Sequence, residues 1–134
     1  MVIDSSALIA ILQHEPEAMA FADAIREDPV RLLSAVSALE TSVVIENRKG
    51  PAGGRDLDLL LHRARMEVVG FGPEQYEAAR AAYRRYGKGV HPAGLNLGAC
   101  CAYALAKISG EALLAKGSNF PKTDLRLVRQ PEPR

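Results

Sequence analysis

A chain of 134 residues, 48% of them hydrophobic, is long enough for one core but has no apolar run of the roughly 18 to 20 residues that a membrane helix needs. Its 17 basic and 16 acidic residues nearly balance, and its two cysteines are adjacent and provide no disulfide framework. Because the N-terminal MVIDSSALIA also lacks the basic region of a signal peptide, we expect a reduced, cytoplasmic protein without a membrane association.

The first half of the chain is predicted to alternate short strands with helices. The apolar run MVID is too short for a helix and precedes residues that favour a helix N-cap, so it indicates a buried strand leading into the helix SSALIAIL. A proline in its first turn begins a second helix, PEAMAFADAIRED, which precedes the strand VRLLS. The next helix, SALETSVVIENRKG, has Leu39, Val43 and Val44 at helical spacing, and PAGG after it is expected to be a turn.

The second half continues the alternation. RDLDLLLHRARM is predicted to be a helix, MEVVGF a third strand, and Pro73 to Tyr86 a basic amphipathic helix. The glycine-rich loop GKGVHPAG precedes a helix from Leu95 to Ser109, the strand EALLA, the loop KGSNFPKTD and a last edge strand, LRLVR. This order predicts a single domain over residues 1–130, built on a parallel sheet covered on both faces, with a frayed tail at residues 131–134.

Two acidic residues are candidates for a functional site. Asp4 ends the first strand, and ligands gather at the carboxyl ends of the strands in parallel sheets, although an aspartate here can also simply cap the helix. Glu40 follows Leu39 in a helix of apolar and small residues, where a buried charge is costly without a partner. The alternative for Glu40 is an exposed position on a polar face with Ser37 and Thr41. The residues alone leave both alternatives open.

A basic stretch without any acid occupies residues 78–110, which suggests a polyanionic partner. Tyrosines interleave with its arginines in the predicted helix, a pattern that suits RNA contact through charge and stacking. A solvated basic face beside core tyrosines explains the same pattern. The candidate RNA-binding residues are Arg80, Arg84, Arg85 and Lys88.

Four segments together resemble the PIN-domain family, and specifically its VapC-type toxins: MVIDSSALIAIL, SAVSALETSVVIE, GKGVHPAGLNLGACCAYALA and LLAKGSNFPKTD. The resemblance runs from Met1 to about Asp124. It implies a three-layer α/β/α sandwich around a mostly parallel sheet of four or five strands. It also implies an endoribonuclease dependent on Mg²⁺ or Mn²⁺, which is the toxin of a type II toxin–antitoxin system. An RNA substrate, a cognate antitoxin and a homodimer are the partners that follow from it.

Matched by position, two of the family's four acids are present and two are replaced. Asp4 matches the first acid and Glu40 the second. Ser6 matches the small hydroxyl residue that supports the first acid, although it can equally be only a polar residue at the helix N-terminus. The third acid belongs in GLNLGDC, where this chain has Ala99. The fourth belongs just before the phenylalanine of LLFKGDDF, where this chain has Asn119. The resemblance therefore implies that Asp4 and Glu40 are catalytic metal ligands and that Asn119 is a weak one.

The two replacements predict a weakened metal site. Asn119 keeps a carbonyl oxygen but no charge, and Ala99 keeps no donor, so we expect the affinity for Mg²⁺ to fall by at least about one or two orders of magnitude. Asp124 matches an aspartate common in the toxin branch, for which we expect a structural or supporting role, with direct metal binding as the alternative. The alternative is a catalytically inactive PIN-domain protein, natural or engineered, that retains antitoxin binding and dimerisation.

Overall fold

Four short parallel strands form the centre of the computed structural model, which describes residues 1–129. The strands are β1 (Val2–Ile3), β2 (Leu32–Ser34), β3 (Glu67–Val69) and β4 (Leu113–Leu114). They pair in the order β3-β2-β1-β4, so β1 lies between the strand that follows it in the chain and the last strand. The tail predicted at residues 131–134 lies outside the described residues, and the single domain over residues 1–130 stays a prediction.

Six α-helices connect and cover these strands in the described part of the chain, and none of them is both long and apolar enough to cross a membrane. Every helix expected from the sequence is present, with bounds that differ by a few residues. The helices are α1 (Ser5–Leu12), α2 (Ala18–Glu27), α3 (Ala35–Lys49), α4 (Pro51–Arg63), α5 (Pro73–Tyr86) and α6 (Leu97–Ser109).

The two faces of the sheet are covered by different helices. Because successive side chains of a strand point to opposite faces, Val2 and Leu113 join a core cluster with α5 and α6. Their neighbours Ile3 and Leu114 join a second cluster with α1, α2, α3 and α4. Both clusters contain fully buried aliphatic side chains. The predicted α/β/α sandwich around a parallel sheet is therefore confirmed, with four strands.

Two local predictions are wrong. PAGG is not a turn, because α4 begins at Pro51, a residue that the first helical position tolerates, and Gly50 with φ +66° makes the turn instead. A Cβ on Gly53 would overlap Ile45, so this glycine lets α4 pack closely on α3. LRLVR does not form a fifth strand, since only an isolated bridge joins Leu127 to Leu113.

The orientation of α3 also differs from what its residue types favour. Leu39 is 66% exposed and Val43 is 51% exposed, whereas Ser37 and Thr41 are fully buried. Burial of Thr41 is possible because its hydroxyl donates a 2.7 Å hydrogen bond to the carbonyl of Ser37. The polar face proposed as an alternative site for Glu40 is therefore an interior face, and Glu40 itself is half-buried.

Candidate active site

Asp4 lies where β1 ends and α1 begins, at the carboxyl edge of the sheet. The chain leaves β1 toward β2 on one side and returns to β4 on the other, so the crevice at this edge is the kind of position where open α/β sheets bind ligands. Loops and helix termini that follow β1, β2 and β4 can all reach it. The fold thus places the first candidate acid at the expected ligand-binding edge.

The carboxylate of Asp4 is almost completely buried. Its Oδ2 accepts a 3.0 Å hydrogen bond from the backbone N–H of Ser6, so Asp4 does cap α1. Burial is the main cause that raises the pKa of Asp4; the hydrogen bonds from Ser6 oppose the rise and the nearby charge of Glu40 adds to it. The capping role and the position at the ligand-binding edge are therefore compatible.

Glu40 reaches the same place from the middle of α3. Its Oε1 accepts a 2.5 Å hydrogen bond from the hydroxyl of Ser5, the residue next to Asp4. A Cβ on Gly98, in the first turn of α6, would overlap the carboxylate of Glu40. Sequence reasoning missed both Ser5 and Gly98. A glycine inside a helical pattern was the available signal for the second, because such a glycine often marks a close approach.

The two replaced acid positions also face this site. Asn96 caps α6 by accepting a 2.8 Å hydrogen bond from the backbone N–H of Ala99, whose methyl group offers no ligand. Asn119 donates through Nδ2 to the carbonyl of Ala93 at 2.7 Å. This hydrogen bond leaves Oδ1 as the atom of Asn119 that is available to a cation.

Ser6 joins the first helix to the loop after β4. Its hydroxyl accepts a 2.9 Å hydrogen bond from the backbone N–H of Lys116, and the Nζ atom of that lysine pairs with Glu15 at 2.8 Å and Glu17 at 3.2 Å. Ser6 thus links the start of α1 to the loop after β4, and its supporting role for Asp4 stays a prediction. Sequence reasoning did not single out Lys116, and a lysine in a glycine-containing loop carries no distinctive signal.

These residues enclose a cavity of about 280 Å³, here called the acidic cavity. Mg²⁺ is commonly bound by one or two carboxylates, with waters and substrate phosphates completing its shell, so two carboxylates in one cavity fit such an ion. Among residues 1–129, no cluster of three or more His, Cys, Asp and Glu side chains is placed to hold a metal. The lining residues are Asp4, Ser5, Ser6, Ile9, Glu40, Val44, Gly94, Asn96, Ala99, Lys116, Asn119 and Phe120.

A family model described as "PIN domain" matches residues 1–125, nearly the whole chain. The chain belongs to the PIN-domain family.

Its curated relatives place it in the VapC branch. This PIN domain is 57% identical over 128 residues to "Ribonuclease VapC" of Mycolicibacterium smegmatis, an alignment that covers 96% of this chain and 99% of the relative. It is 56% identical over 131 residues to "Ribonuclease VapC30" of Mycobacterium tuberculosis, covering 98% of this chain and 100% of the relative. The recognition of a VapC-type PIN domain is confirmed.

Solved structures agree on the fold. The crystal structure of Mycobacterium tuberculosis VapC20, described as a sarcin-ricin loop cleaving toxin, has a TM-score of 0.78 at 15% identity and covers 96% of this PIN domain and 98% of that chain. A toxin–antitoxin complex from Klebsiella pneumoniae has a TM-score of 0.71 at 16% identity, with 92% of each chain covered. At these identities the likeness extends to the fold alone.

Asp124 of the PIN domain does not line the acidic cavity. Its carboxylate accepts a 2.5 Å hydrogen bond from the Tyr103 hydroxyl, and it pairs with Lys107 at 2.7 Å and more loosely with Arg85 at 3.5 Å. Partial burial would raise the pKa of Asp124, but the hydrogen bonds and charges of these partners lower it overall. Asp124 therefore ties the last loop of the PIN domain to α5 and α6.

Two of the four predicted RNA-binding residues line a common groove. Arg80 and Arg84 line an apolar groove of about 530 Å³ between α5 and α6, here called the aromatic groove, together with the half-exposed Tyr76 and Tyr83. Arg85 is directed to Asp124 instead, and Lys88 lies in the turn after α5. The groove's remaining lining residues are Val36, Phe71, Ala79, Leu97, Cys100 and Cys101.

The two cysteines, Cys100 and Cys101, are buried in α6. Burial, together with the neighbouring Cys101, raises the pKa of Cys100 to about 11, so its thiol stays protonated at neutral pH. A thiol in this state is a poor nucleophile and a poor metal ligand. These residues are part of the packing of the PIN domain.

Proposed function

We propose that this PIN domain is a VapC-type ribonuclease toxin that cleaves RNA at the acidic cavity. The observation that carries the proposal is the meeting of Asp4 and Glu40 in one cavity at the carboxyl edge of the sheet. Relatives that match nearly the whole chain at 56–57% identity are named ribonucleases, which supports RNA as the substrate class.

A divalent cation, Mg²⁺ or Mn²⁺, fits the donors of the cavity. Asp4 and Glu40 would hold it through carboxylate oxygens, and Asn119 through Oδ1. When bound, such an ion neutralises charge on the scissile phosphate and activates a water for attack on phosphorus. The raised pKa of Asp4 supports a cation here, because a cation would relieve both the burial of the charge and its repulsion by Glu40.

The serines that follow Asp4 orient the two acids. The backbone N–H of Ser6 holds Oδ2 of Asp4, and the Ser5 hydroxyl holds Oε1 of Glu40. Each carboxylate keeps one oxygen without a hydrogen bond among these contacts, and that oxygen is the one we assign to the cation or to the attacking water. Rigid orientation of this kind lowers the reorganisation that the reaction requires.

We further propose that the cation binds weakly. The position of Ala99 supplies no ligand and that of Asn119 supplies a neutral one, so two negative charges remain where the family has four. Since Mg²⁺ dehydrates reluctantly and is captured mainly by charge, the affinity falls by at least about one or two orders of magnitude.

The RNA backbone is proposed to cross α5 beside the aromatic groove. Arg80 and Arg84 are exposed there, and Tyr76 and Tyr83 offer aromatic surface on which bases can stack. Lys88 extends this basic surface past the end of the helix. Arg85 contributes less to RNA binding in this proposal, since it is already paired with Asp124.

A cognate antitoxin and a second copy of the chain are the proposed protein partners. A toxin–antitoxin complex from Klebsiella pneumoniae is among the structures with this fold, which supports an antitoxin. Leu39, Val43 and Leu97 are large apolar side chains exposed by 66%, 51% and 80%, and a homodimer interface would cover such residues. Localisation in the cytoplasm follows from this function and stays a prediction.

The second candidate function is an inactive PIN domain that binds the antitoxin and dimerises. The observation that favours it is the donor set of the cavity, which has an alanine and an asparagine at two of the family's four acid positions. In that case the cavity would not bind Mn²⁺, and antitoxin binding and dimerisation would not require Asp4 or Glu40.

Incubation of the purified protein with structured RNA, in Mn²⁺ and in EDTA, tests the proposal. We expect cleavage that depends on Mn²⁺ and is lost in Asp4→Asn and Glu40→Gln. Asp58→Asn, an exposed change on α4, is the matched control and should leave cleavage intact. Absence of cleavage by the wild type, with antitoxin binding preserved, would favour the inactive PIN domain.

A further inference from the structure

Lys116 is the one cationic side chain that lines the acidic cavity within residues 1–129. It follows β4, the strand paired with β1, and its backbone N–H donates to the Ser6 hydroxyl at 2.9 Å. The backbone N–H of Ser6 in turn donates a hydrogen bond to Oδ2 of Asp4. Two hydrogen bonds therefore fix the backbone of Lys116 relative to the buried acid of the cavity.

The ammonium of Lys116 is held at the rim by two acids of the loop between α1 and α2. Its Nζ atom lies 2.8 Å from Oε2 of Glu15 and 3.2 Å from Oε2 of Glu17. The three side chains are between 29% and 41% exposed, so water and salt screen these ion pairs. Because the ion pairs are screened, the ammonium of Lys116 can exchange these carboxylates for another anion at little cost.

An RNA phosphate that enters the cavity meets a negative electrostatic potential, which is unfavourable for an anion. Asp4 and Glu40 repel it, and a weakly bound cation compensates for these charges less than a full family site would. The flexible four-carbon side chain of Lys116 is anchored next to the cavity. Its ammonium group supplies positive charge that a weakly bound cation does not. Its resting partners are carboxylates, which are the same kind of oxygen anion as a phosphate.

We propose that Lys116 contacts the phosphate backbone of RNA bound over the acidic cavity, and that Glu15 and Glu17 hold it at the rim until RNA replaces them. This inference rests on the proposed ribonuclease function, because it takes RNA as the ligand of the cavity. Glu15 and Glu17 then act as competitors of the RNA, and Lys116 is a substrate-binding residue.

The test measures binding apart from cleavage. A fluorescein-labelled RNA hairpin is titrated with full-length Asp4→Asn protein in EDTA, over a range of salt concentrations. We expect Lys116→Gln to weaken binding several-fold and to reduce the slope of log K against log salt by about 0.7 to 0.9, the change for one lost phosphate contact. Lys122→Gln, an exposed lysine outside the cavity lining, is the control and should change neither.

A double-mutant cycle tests the competition. Glu15→Gln combined with Glu17→Gln should tighten RNA binding, and more so when Lys116 is present than in the Lys116→Gln background. A purely structural ion pair predicts the opposite sign, because breaking it from either side would weaken binding in parallel with a lower Tm. Equal tightening of RNA binding in both backgrounds would reflect only the removal of two negative charges. It would overturn the proposal that Glu15 and Glu17 compete with RNA for Lys116.

Failure of this inference can be told from failure of the ribonuclease function. Unchanged RNA binding in Lys116→Gln overturns the role of Lys116, and Mn²⁺-dependent cleavage by the wild type would still stand. Absence of hairpin binding by every variant overturns it as well. The separate cleavage assay, with Asp4→Asn as its inactive reference, then decides whether the ribonuclease function falls too.

Discussion

The hydroxyl of Ser5 donates a 2.5 Å hydrogen bond to Oε1 of Glu40, a residue 35 positions further along the chain. Ser5 is the first residue of α1 and follows Asp4 directly, whereas Glu40 lies in the middle of α3. This hydrogen bond therefore fixes the second acid of the cavity relative to the first.

Ser5→Ala should impair the site more than it impairs the fold. Loss of the hydrogen bond should cost about 1 kcal/mol of unfolding free energy and leave Glu40 free to turn away from Asp4. We expect Mn²⁺-dependent RNA cleavage to fall by roughly tenfold or more, since small displacements of positioning residues have effects of this size. Cleavage rates and urea unfolding measure the two effects.

Ser42→Ala is the matched control for that change. Ser42 also donates to a glutamate, Glu46 at 2.8 Å, but at an exposed position on the same helix. Its removal should alter neither cleavage nor stability appreciably, because exposed side-chain pairs contribute little. Equal activity in Ser5→Ala and Ser42→Ala would show that Ser5 does not position Glu40.

Gly98→Ala should displace Glu40 from the cavity. A Cβ at this position would overlap the Glu40 carboxylate, and Gly98 is held in the first turn of α6, so the glutamate must move. We expect cleavage to fall at least as much as in Ser5→Ala, with a lower Tm. Gly70→Ala, where an added Cβ meets no atom within 4 Å, should keep wild-type activity and thereby separate this clash from a general effect of losing a glycine.

The order of elements and the position of Asp4 could be predicted from the sequence. A four-residue apolar run followed by Asp-Ser-Ser is a local signal for a strand leading into a helix, and the sheet rule then puts Asp4 at the ligand-binding edge. The side chains that join distant segments could not be predicted. Ser5 and Gly98 belong to the site only because α1, α3 and α6 meet there, and this meeting has no local signal.

The orientation of α3 is a second feature that the sequence alone did not predict. Its apolar residues Leu39 and Val43 are exposed, and its small hydroxyl residues are buried. Thr41 satisfies its hydroxyl within the helix, so burying it costs little. A hydrophobic pattern records which side chains are apolar, but it does not record which face of a helix the rest of the fold covers.

Asp4 and Asp124 should affect stability with opposite signs. Burial is the main cause that raises the pKa of Asp4 in the folded protein above its ordinary value of 3.8. The charge of Asp4 therefore lowers the stability of the fold once the pH rises through that raised pKa, and this cost is absent below about pH 3.8. Asp4→Asn should therefore raise the Tm at pH 7 in EDTA. The gain should disappear as the pH falls below 4.

Asp124→Asn provides the opposite case. The pKa of Asp124 is lowered below 3.8, so its charge adds stability that is complete above that value and is lost as the pH falls through the lowered pKa. Asp124→Asn should lower the Tm at pH 7 and have little effect near pH 2. Thermal unfolding from pH 2 to pH 8 measures both variants. Destabilisation by Asp4→Asn at pH 7 would mean that its charge is not unfavourably buried.

Restoring the replaced acids should strengthen metal binding. In Ala99→Asp a carboxylate is added in the first turn of α6, on a residue that lines the acidic cavity, and the positive end of the helix dipole favours it there. Asn119→Asp adds a second charge but gives up the amide that donates to the Ala93 carbonyl. We therefore expect Ala99→Asp to raise the affinity for Mn²⁺ by roughly tenfold or more, measured by calorimetry, and Asn119→Asp to raise it less. Ser118→Asp, an exposed change next to Asn119 and outside the cavity lining, should leave the affinity unchanged. An equal gain in all three variants would indicate a general charge effect, and no gain in any of them would contradict a metal site between Asp4 and Glu40.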